Sequence, residues 1–96
     1  MSNIETHNRR NKLKKRYINH NLTIFLEAAM RGNYTHAAEV LGMTQGNVSL
    51  SVKALERDVG ATLFDRSRYG VTLTAEGERV HRLALQIADL EAAIGG

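Results

Sequence analysis

Apolar residues recur at helical spacing in the first half of this chain. Leu22, Phe25, Leu26 and Ala29 fall on one side of a helix, and Gly32 follows as a residue that ends helices. The pattern predicts a first helix from residue 22 to residue 31, with this side packed into the core.

A second, shorter helix is predicted directly after it. Asn33 suits the N-cap, with Thr35 as the rival, and Gly42 can take the positive φ that stops the helix. Ala37 and Ala38 lie on its apolar face. Because both are small, a following helix can cross this one closely.

A third helix is predicted between Thr44, whose hydroxyl suits an N-cap, and Gly60. Its buried side holds apolar residues spaced four, three and four positions apart: Val48, Val52, Leu55 and Val59. Two closely crossed helices joined by a tight turn form a helix-turn-helix, in which the second helix, here residues 44–59, projects into a DNA major groove.

The opposite side of the third helix carries mostly polar residues: Gln45, Gly46, Ser49, Leu50, Lys53 and Arg57. Glutamine can pair with adenine, serine can bond base edges or phosphate, and glycine lets the backbone approach closely. Lysine and arginine suit phosphates. The alternative is an ordinary amphipathic helix with a solvated polar face, and periodicity alone does not separate the two.

The segment after Gly60 changes to a period of two. Val71 and Leu73 alternate with polar residues, while Leu63 and Phe64 anchor the segment before them. Two short strands around a polar turn of residues 66–70 form a wing.

The wing is predicted to span residues 65–70, with two arginines at its tip. Arg66 and Arg68 suit phosphates or a narrow minor groove, whose negative potential favours arginine. For Arg66 an ion pair with Glu56 or Asp65 is an equal alternative, so Arg68 is the better candidate for DNA.

A long helix is predicted from Ala75 to Ile94, capped by Thr74. Residues spaced three and four apart form a heptad seam over two repeats: Val80, Leu83, Ile87, Leu90 and Ile94. A small preceding domain leaves much of this seam to be covered by a partner; the alternative is packing back onto its own domain.

These motifs resemble the N-terminal DNA-binding domain of LysR-type transcriptional regulators. The matching pieces are AAEVLGMTQGNVS (37–49), ALERDVGATLFDR (54–66) and VTLTAEG (71–77), and the resemblance covers residues 19–94. It implies a mainly α fold, a winged helix-turn-helix of three helices plus a two-stranded wing. A long C-terminal helix would follow and pair antiparallel with that of a second chain.

What the resemblance implies for the whole protein is a homodimer bound to double-stranded DNA. A small-molecule inducer would be a partner only if the parent protein has the family's usual C-terminal domain. The expected divisions are a basic arm (1–18), a DNA-binding domain (19–73) and a dimerisation helix (74–96). The candidate DNA-binding residues are Thr35, Thr44, Gln45, Gly46, Ser49, Leu50, Lys53, Arg66 and Arg68.

Three positions depart from the family pattern. Gly46 stands where the family often has proline or another residue, and Asn33 replaces a frequent serine. Leu50 stands where arginine is common, and its apolar side chain suits a thymine methyl group. The first and third departures bear on the target sequence and leave the predicted fold unchanged.

Charge is distributed unevenly along the 96 residues. The net charge is +3, but residues 1–20 carry six basic side chains against one acidic, and residues 21–96 carry seven against nine. The basic arm can lie along phosphates or enter a minor groove. Its plain alternative is a solvated tail.

Other classes of function have little support in the sequence. The chain has no cysteine, its four histidines are scattered, and no glycine-rich phosphate loop follows a strand, so we expect no catalytic residues, metal site or cofactor. No stretch is apolar enough to cross a membrane, and a cytoplasmic location is expected. Besides sequence-specific DNA binding in transcription regulation, the sequence allows a dimerising protein-interaction module that modulates another regulator.

Overall fold

The computed structural model describes residues 20–95, so the predicted basic arm and the last residue lie outside the described residues. This part of the chain forms helices α1 (20–31), α2 (Tyr34–Leu41) and α3 (Gln45–Val59), strands β1 (Phe64–Ser67) and β2 (Gly70–Leu73), and helix α4 (Ala75–Gly95). The order is that of a helix-turn-helix with a two-stranded wing and a long final helix, and it confirms the predicted fold class.

The ends of α2 and α3 are held by the predicted caps. The Asn33 side chain accepts the His36 amide hydrogen at 2.9 Å, and the Thr44 hydroxyl oxygen accepts the Asn47 amide hydrogen at 3.1 Å. Asn33, and not its rival Thr35, is therefore the N-cap of α2. Gly42 ends α2 at φ 68°, a backbone conformation that costs other residues energy.

One hydrophobic core joins all the elements. Its largest fully buried side chains are Phe25, Leu63, Val48 and Val52. The Phe64 ring lies 5.3 Å from the Phe25 ring and 5.8 Å from the Tyr34 ring, centroid to centroid, which ties β1 to α1 and α2. Tyr34, at the start of α2, is part of this core and only 6% exposed.

The buried side of α1 differs from the predicted one. Ile24, Phe25 and Ala28 are buried with the polar Asn21, whereas the predicted Leu22, Leu26 and Ala29 are partly buried at the margin of the core. Both sets have the spacing i, i+3, i+4, i+7 and differ by one residue, which is a rotation of about 100°. The prediction was wrong by that rotation because Ile24 and Ala28 are apolar too, and periodicity alone does not decide which of the two sides faces the core.

The wing is tighter than predicted. β1 and β2 pair antiparallel from Phe64↔Leu73 to Ser67↔Gly70, so that the turn is formed by Arg68 and Tyr69 alone. Arg66, predicted at the tip, lies in β1, since pairing continues to the end of the polar stretch. Three of the four residues of β1 are exposed, so no alternation of buried and exposed positions marks this segment as a strand.

Hydrogen bonds attach both ends of β2 to neighbouring elements. The Val71 amide donates to the Gly32 carbonyl oxygen at 3.0 Å, so β2 lies against the turn between α1 and α2. At the other end, the Thr74 hydroxyl donates to the Thr62 carbonyl oxygen at 2.6 Å and accepts the Gly77 amide hydrogen at 2.9 Å. Thr74 therefore caps α4, as predicted, and also fixes its first turn to the wing.

Only the first half of α4 belongs to the core. Val80 and Ala84 are buried, and no residue of α4 between 85 and 94 is buried. Val80 was predicted in the dimerisation seam, but it packs into its own domain because α4 starts beside the core. Later seam residues are accessible: Leu83 is 46%, Leu90 60% and Ile94 78% exposed, and Ile87 is half-buried.

The close approach of α4 to the wing yields a stability prediction. A methyl group at Gly77 would overlap the Leu63 carbonyl oxygen and press on the Leu73 side chain, although alanine normally favours a helix. We expect Gly77→Ala to lower the free energy of unfolding by about 1–3 kcal/mol, the usual cost of overpacking. Urea unfolding followed by circular dichroism measures it.

The matched control is Gly46→Ala in the first turn of α3. Its methyl group would meet only the Thr44 hydroxyl oxygen, at 4.0 Å, so this variant should be unchanged or more stable by up to about 1 kcal/mol. Equal effects of the two substitutions would contradict the packing described for α4.

Candidate nucleic-acid interface

The exposed side of α3 has the composition predicted for it. Gln45, Gly46, Leu50 and Lys53 are exposed and Ser49 is half-buried, while Val48, Val52 and Leu55 bury the opposite side. Leu50 is 65% exposed. The first turn of α3 contains no acidic residue, so nothing opposes the partial positive charge at this helix end.

The N-terminal end of α3 shares an open cleft with the wing. The cleft has a volume of about 140 Å³, and its walls come from the starts of α2 and α3 and from the wing: Asn33, Tyr34, Thr35, Gln45, Arg66, Ser67, Arg68, Gly70 and Val71. Four candidate residues from separate parts of the sequence thus meet here: Thr35, Gln45, Arg66 and Arg68. The cleft combines amide, hydroxyl and guanidinium groups, which bind base edges and phosphates.

The remaining candidates do not line this cleft. Thr44 lies just before α3 and its hydroxyl oxygen is engaged as the cap, although its proton stays available to donate. Lys53 lines a wider, shallow depression of about 400 Å³ at the other end of α3, together with Arg57 and Glu56. There the Glu56 carboxylate accepts the Leu63 amide hydrogen at 2.8 Å and helps to seat the wing.

Arg66 has a different partner from the one considered in the sequence. The ion pairs of the described residues are Arg31–Glu27 and Arg79–Glu76, so the alternative of a pair with Glu56 or Asp65 is not observed there. Its guanidinium carbon lies 4.7 Å from the centre of the Tyr34 ring, a cation–π contact. Arg66 is exposed and stays within reach of a ligand in the cleft.

Tyr34 does not add a negative charge beneath this arginine. Burial raises the pKa of its hydroxyl to about 12, and the Glu56 carboxylate raises it too, against a smaller lowering by Arg66. A tyrosine is already neutral at physiological pH at its ordinary pKa of about 10, and the shift moves this phenol further from ionisation. Because a phenolate would attract the guanidinium more strongly than a neutral ring does, this neutrality leaves the positive charge of Arg66 unneutralised.

Tyr69 is a feature that sequence reasoning passed over. It was placed in a polar turn, yet its side chain is 86% exposed at the tip of the wing, and the Arg68 guanidinium carbon lies 5.6 Å from its ring centre. The available signal was an aromatic residue directly before a turn glycine and directly after an arginine.

Residues 20–95 also bear on metal binding and on membrane crossing. No group of three or more histidine, aspartate or glutamate side chains in this part of the chain is placed to hold a metal ion. Of the helices formed by the same residues, none has the length and apolar character that a membrane crossing requires.

Comparison with known proteins gives one family. The family model described as "Bacterial regulatory helix-turn-helix protein, lysR family" matches residues 20–78. The HTH-type transcriptional regulator YofA of Bacillus subtilis is 41% identical over 69 residues, which are 72% of this chain and 24% of YofA. The HTH-type transcriptional regulator BudR of Klebsiella aerogenes is 40% identical over 79 residues, 77% of this chain and 55% of BudR.

Solved structures agree with this result. The DNA-binding domain of CbnR in complex with DNA superposes with a TM-score of 0.76 at 34% identity, covering 79% of this chain and 87% of that domain. Vibrio fischeri DarR in complex with DNA gives a TM-score of 0.72 at 34% identity, covering 78% of this chain and 26% of DarR. The chain spans about a quarter of YofA and about half of BudR. The family model matches more than half of the residues, and the CbnR domain has the same fold at 34% identity. The chain therefore belongs to the lysR family of bacterial regulatory helix-turn-helix proteins.

Proposed function

We propose that this chain binds double-stranded DNA at specific sequences and thereby regulates transcription. Helix α3 enters the major groove, and the wing, residues 65–70, lies on the backbone or in the adjacent minor groove. The observation that carries the proposal is the cleft in which Gln45, Thr35 and two arginines meet. A base-reading amide beside phosphate-binding cations is the combination that such a complex needs.

The family supports the same function. The CbnR domain and DarR were solved in complex with DNA, and the quoted relatives are transcriptional regulators. A regulator of this kind acts where the chromosome is, so a cytoplasmic location is part of the proposal. The division into a basic arm (1–18), a DNA-binding domain (19–73) and a dimerisation helix (74–96) is part of the proposal.

Each candidate residue has a role that follows from its chemistry and place. Gln45 at the start of α3 pairs with a base, adenine being the best match, while Ser49 and Leu50 contact base edges one turn later. Gly46 lets the backbone close on the groove. The hydroxyl, lysine and arginine side chains contact phosphates: Thr35, Thr44, Lys53, Arg66 and Arg68.

The exposed second half of α4 supports a dimer. Leu83, Ile87, Leu90 and Ile94 form an apolar stripe that the domain itself leaves accessible. Pairing with the same stripe of a second chain, antiparallel, would remove it from water. A two-fold symmetric pair would then present two α3 helices to an approximately palindromic site.

The role of Gln45 gives the first prediction of function. A binding site is first obtained by selection from a random duplex pool, and affinities are then measured by mobility shift on this site and on an unrelated duplex. We expect Gln45→Ala to weaken specific binding by roughly 1–3 kcal/mol, the value of a bidentate base contact, and to leave non-specific binding unchanged.

Gln86→Ala is the matched control, since Gln86 is an exposed glutamine on α4 away from the cleft. An equal loss on both duplexes would reject base reading by Gln45. If the protein binds duplex only through residues 1–18, so that deleting them removes all binding, the protein-interaction module becomes the better account.

The role of Lys53 predicts a change in salt dependence. A contact with one phosphate releases about one counterion, so Lys53→Ala should weaken binding to every duplex and flatten the salt slope by about 0.9. Lys53→Arg should keep the slope, and Arg82→Ala, an exposed charge on α4, should not alter it. The measurement is a mobility-shift titration at several salt concentrations; an unchanged slope for Lys53→Ala would contradict the contact.

The dimer predicts that a charge in the apolar stripe separates the two chains. Leu90→Lys should be monomeric in sedimentation equilibrium, because two lysines would be buried at the interface without partners. Leu85→Lys places the same charge at an exposed leucine of α4 outside the stripe and should remain dimeric. A wild-type chain that stays monomeric at high concentration would refute the interface.

A further inference from the structure

The tip of the wing exposes an aromatic ring on a backbone that the hairpin holds in place. Tyr69 is the most exposed large hydrophobic residue among those described, at 86%. The Tyr69 amide donates to the Ser67 hydroxyl oxygen at 3.2 Å, and Ser67 is paired with Gly70 across the hairpin. The turn has only two residues, so the backbone at Tyr69 is held by the ladder on both sides.

An arginine lies over one face of the ring. The Arg68 guanidinium carbon lies 5.6 Å from the ring centre, within cation–π range. The other face and the hydroxyl group are left free. Insertion between two base pairs requires both faces of a ring, so this arrangement favours a contact through one face only.

The surroundings of the ring carry charge suited to a polyanion. Arg68, next to Tyr69, lines the cleft together with Gln45 and Thr35 of the helix-turn-helix, so the tip adjoins the surface proposed for DNA. In the wing, Asp65 is the single acidic residue against Arg66 and Arg68. An apolar protein partner would have to desolvate these arginines, whereas DNA supplies their phosphates.

We propose that Tyr69 packs the free face of its ring against a deoxyribose in the wall of the minor groove while Arg68 contacts the adjacent phosphates. The proposal rests on the DNA-binding function proposed above and adds a contact residue to it. A sugar contact is uncharged and releases no counterion. Tyr69 therefore contributes affinity on any sequence without contributing to the salt slope.

Affinity and salt dependence distinguish this role from that of the neighbouring arginine. Tyr69→Ala should weaken binding about three- to tenfold, as expected for one aromatic contact, on specific and unrelated duplexes alike and at unchanged salt slope. Tyr69→Phe should bind as the wild type does, and Arg68→Ala should flatten the slope by about 0.9. Met30→Ala is the matched control, because Met30 is 68% exposed on α1.

Hydroxyl-radical footprinting locates the contact, since the radical attacks deoxyribose from the minor groove. The wild type and Tyr69→Phe should protect one short patch of sugars in each half-site that Tyr69→Ala leaves unprotected, with the remaining footprint unchanged. As the chain has no tryptophan, Tyr69→Trp also provides a single tryptophan, which can be excited beyond the tyrosine absorption and whose emission should change on duplex binding. The emission of Met30→Trp should not change.

The outcomes separate this proposal from the function on which it rests. If the wild type binds duplex but Tyr69→Ala matches it in affinity and footprint, the sugar contact is refuted and DNA binding stands. A loss confined to one sequence, or a changed salt slope for Tyr69→Ala, would also refute it. If the wild type binds no duplex, both proposals fall.

Discussion

The position of the wing relative to α3 depends on the packing around Phe64. This ring contacts the rings of Phe25 and Tyr34, and the neighbouring Leu63 is fully buried. Most of β1 is exposed, so the apolar contacts of the wing come from Phe64 at its base and from the buried Val71 of β2. Its geometry is set by these two side chains, by the hydrogen bond from Val71 to Gly32 and by that from Leu63 to Glu56. Without these contacts Arg66 and Gln45 would not share a cleft.

In this domain the positions of the charged groups matter more for the cleft than the net charge does. The described residues have no excess of positive charge, yet the cleft carries two arginines and the partial charge of a helix end. Tyr34 contributes to this arrangement because its neutral ring lies beneath the Arg66 guanidinium. The acidic Glu56 is occupied by a backbone amide of the wing. Local structure thus concentrates positive charge at the proposed DNA-binding cleft, although the composition is close to neutral.

Much of the fold could be predicted because caps and periodicity are local properties. Asn33, Thr44 and Thr74 cap the predicted helices, and the alternation around Val71 marks a strand. The errors concern contacts between elements. The rotation of α1 and the burial of Val80 depend on which neighbours surround a helix, and a periodic pattern does not contain this information. Arg66 was predicted in the turn but lies in β1, because strand pairing extends through the polar residues. The functions of the individual site residues remain predictions.

The attachment of α4 also determines where this molecule can bend. Thr74 joins the first turn of α4 to the base of the wing, and Gly77 lies against Leu63 with no room for a side chain. Direct contacts therefore join the beginning of α4 to the base of the wing, and we expect the helix to flex only after Ala84, where burial ends. In a pair of chains, adjustment to half-sites at different separations would have to come from flexing of the last turns of α4. The angle between α3 and the wing would stay constant.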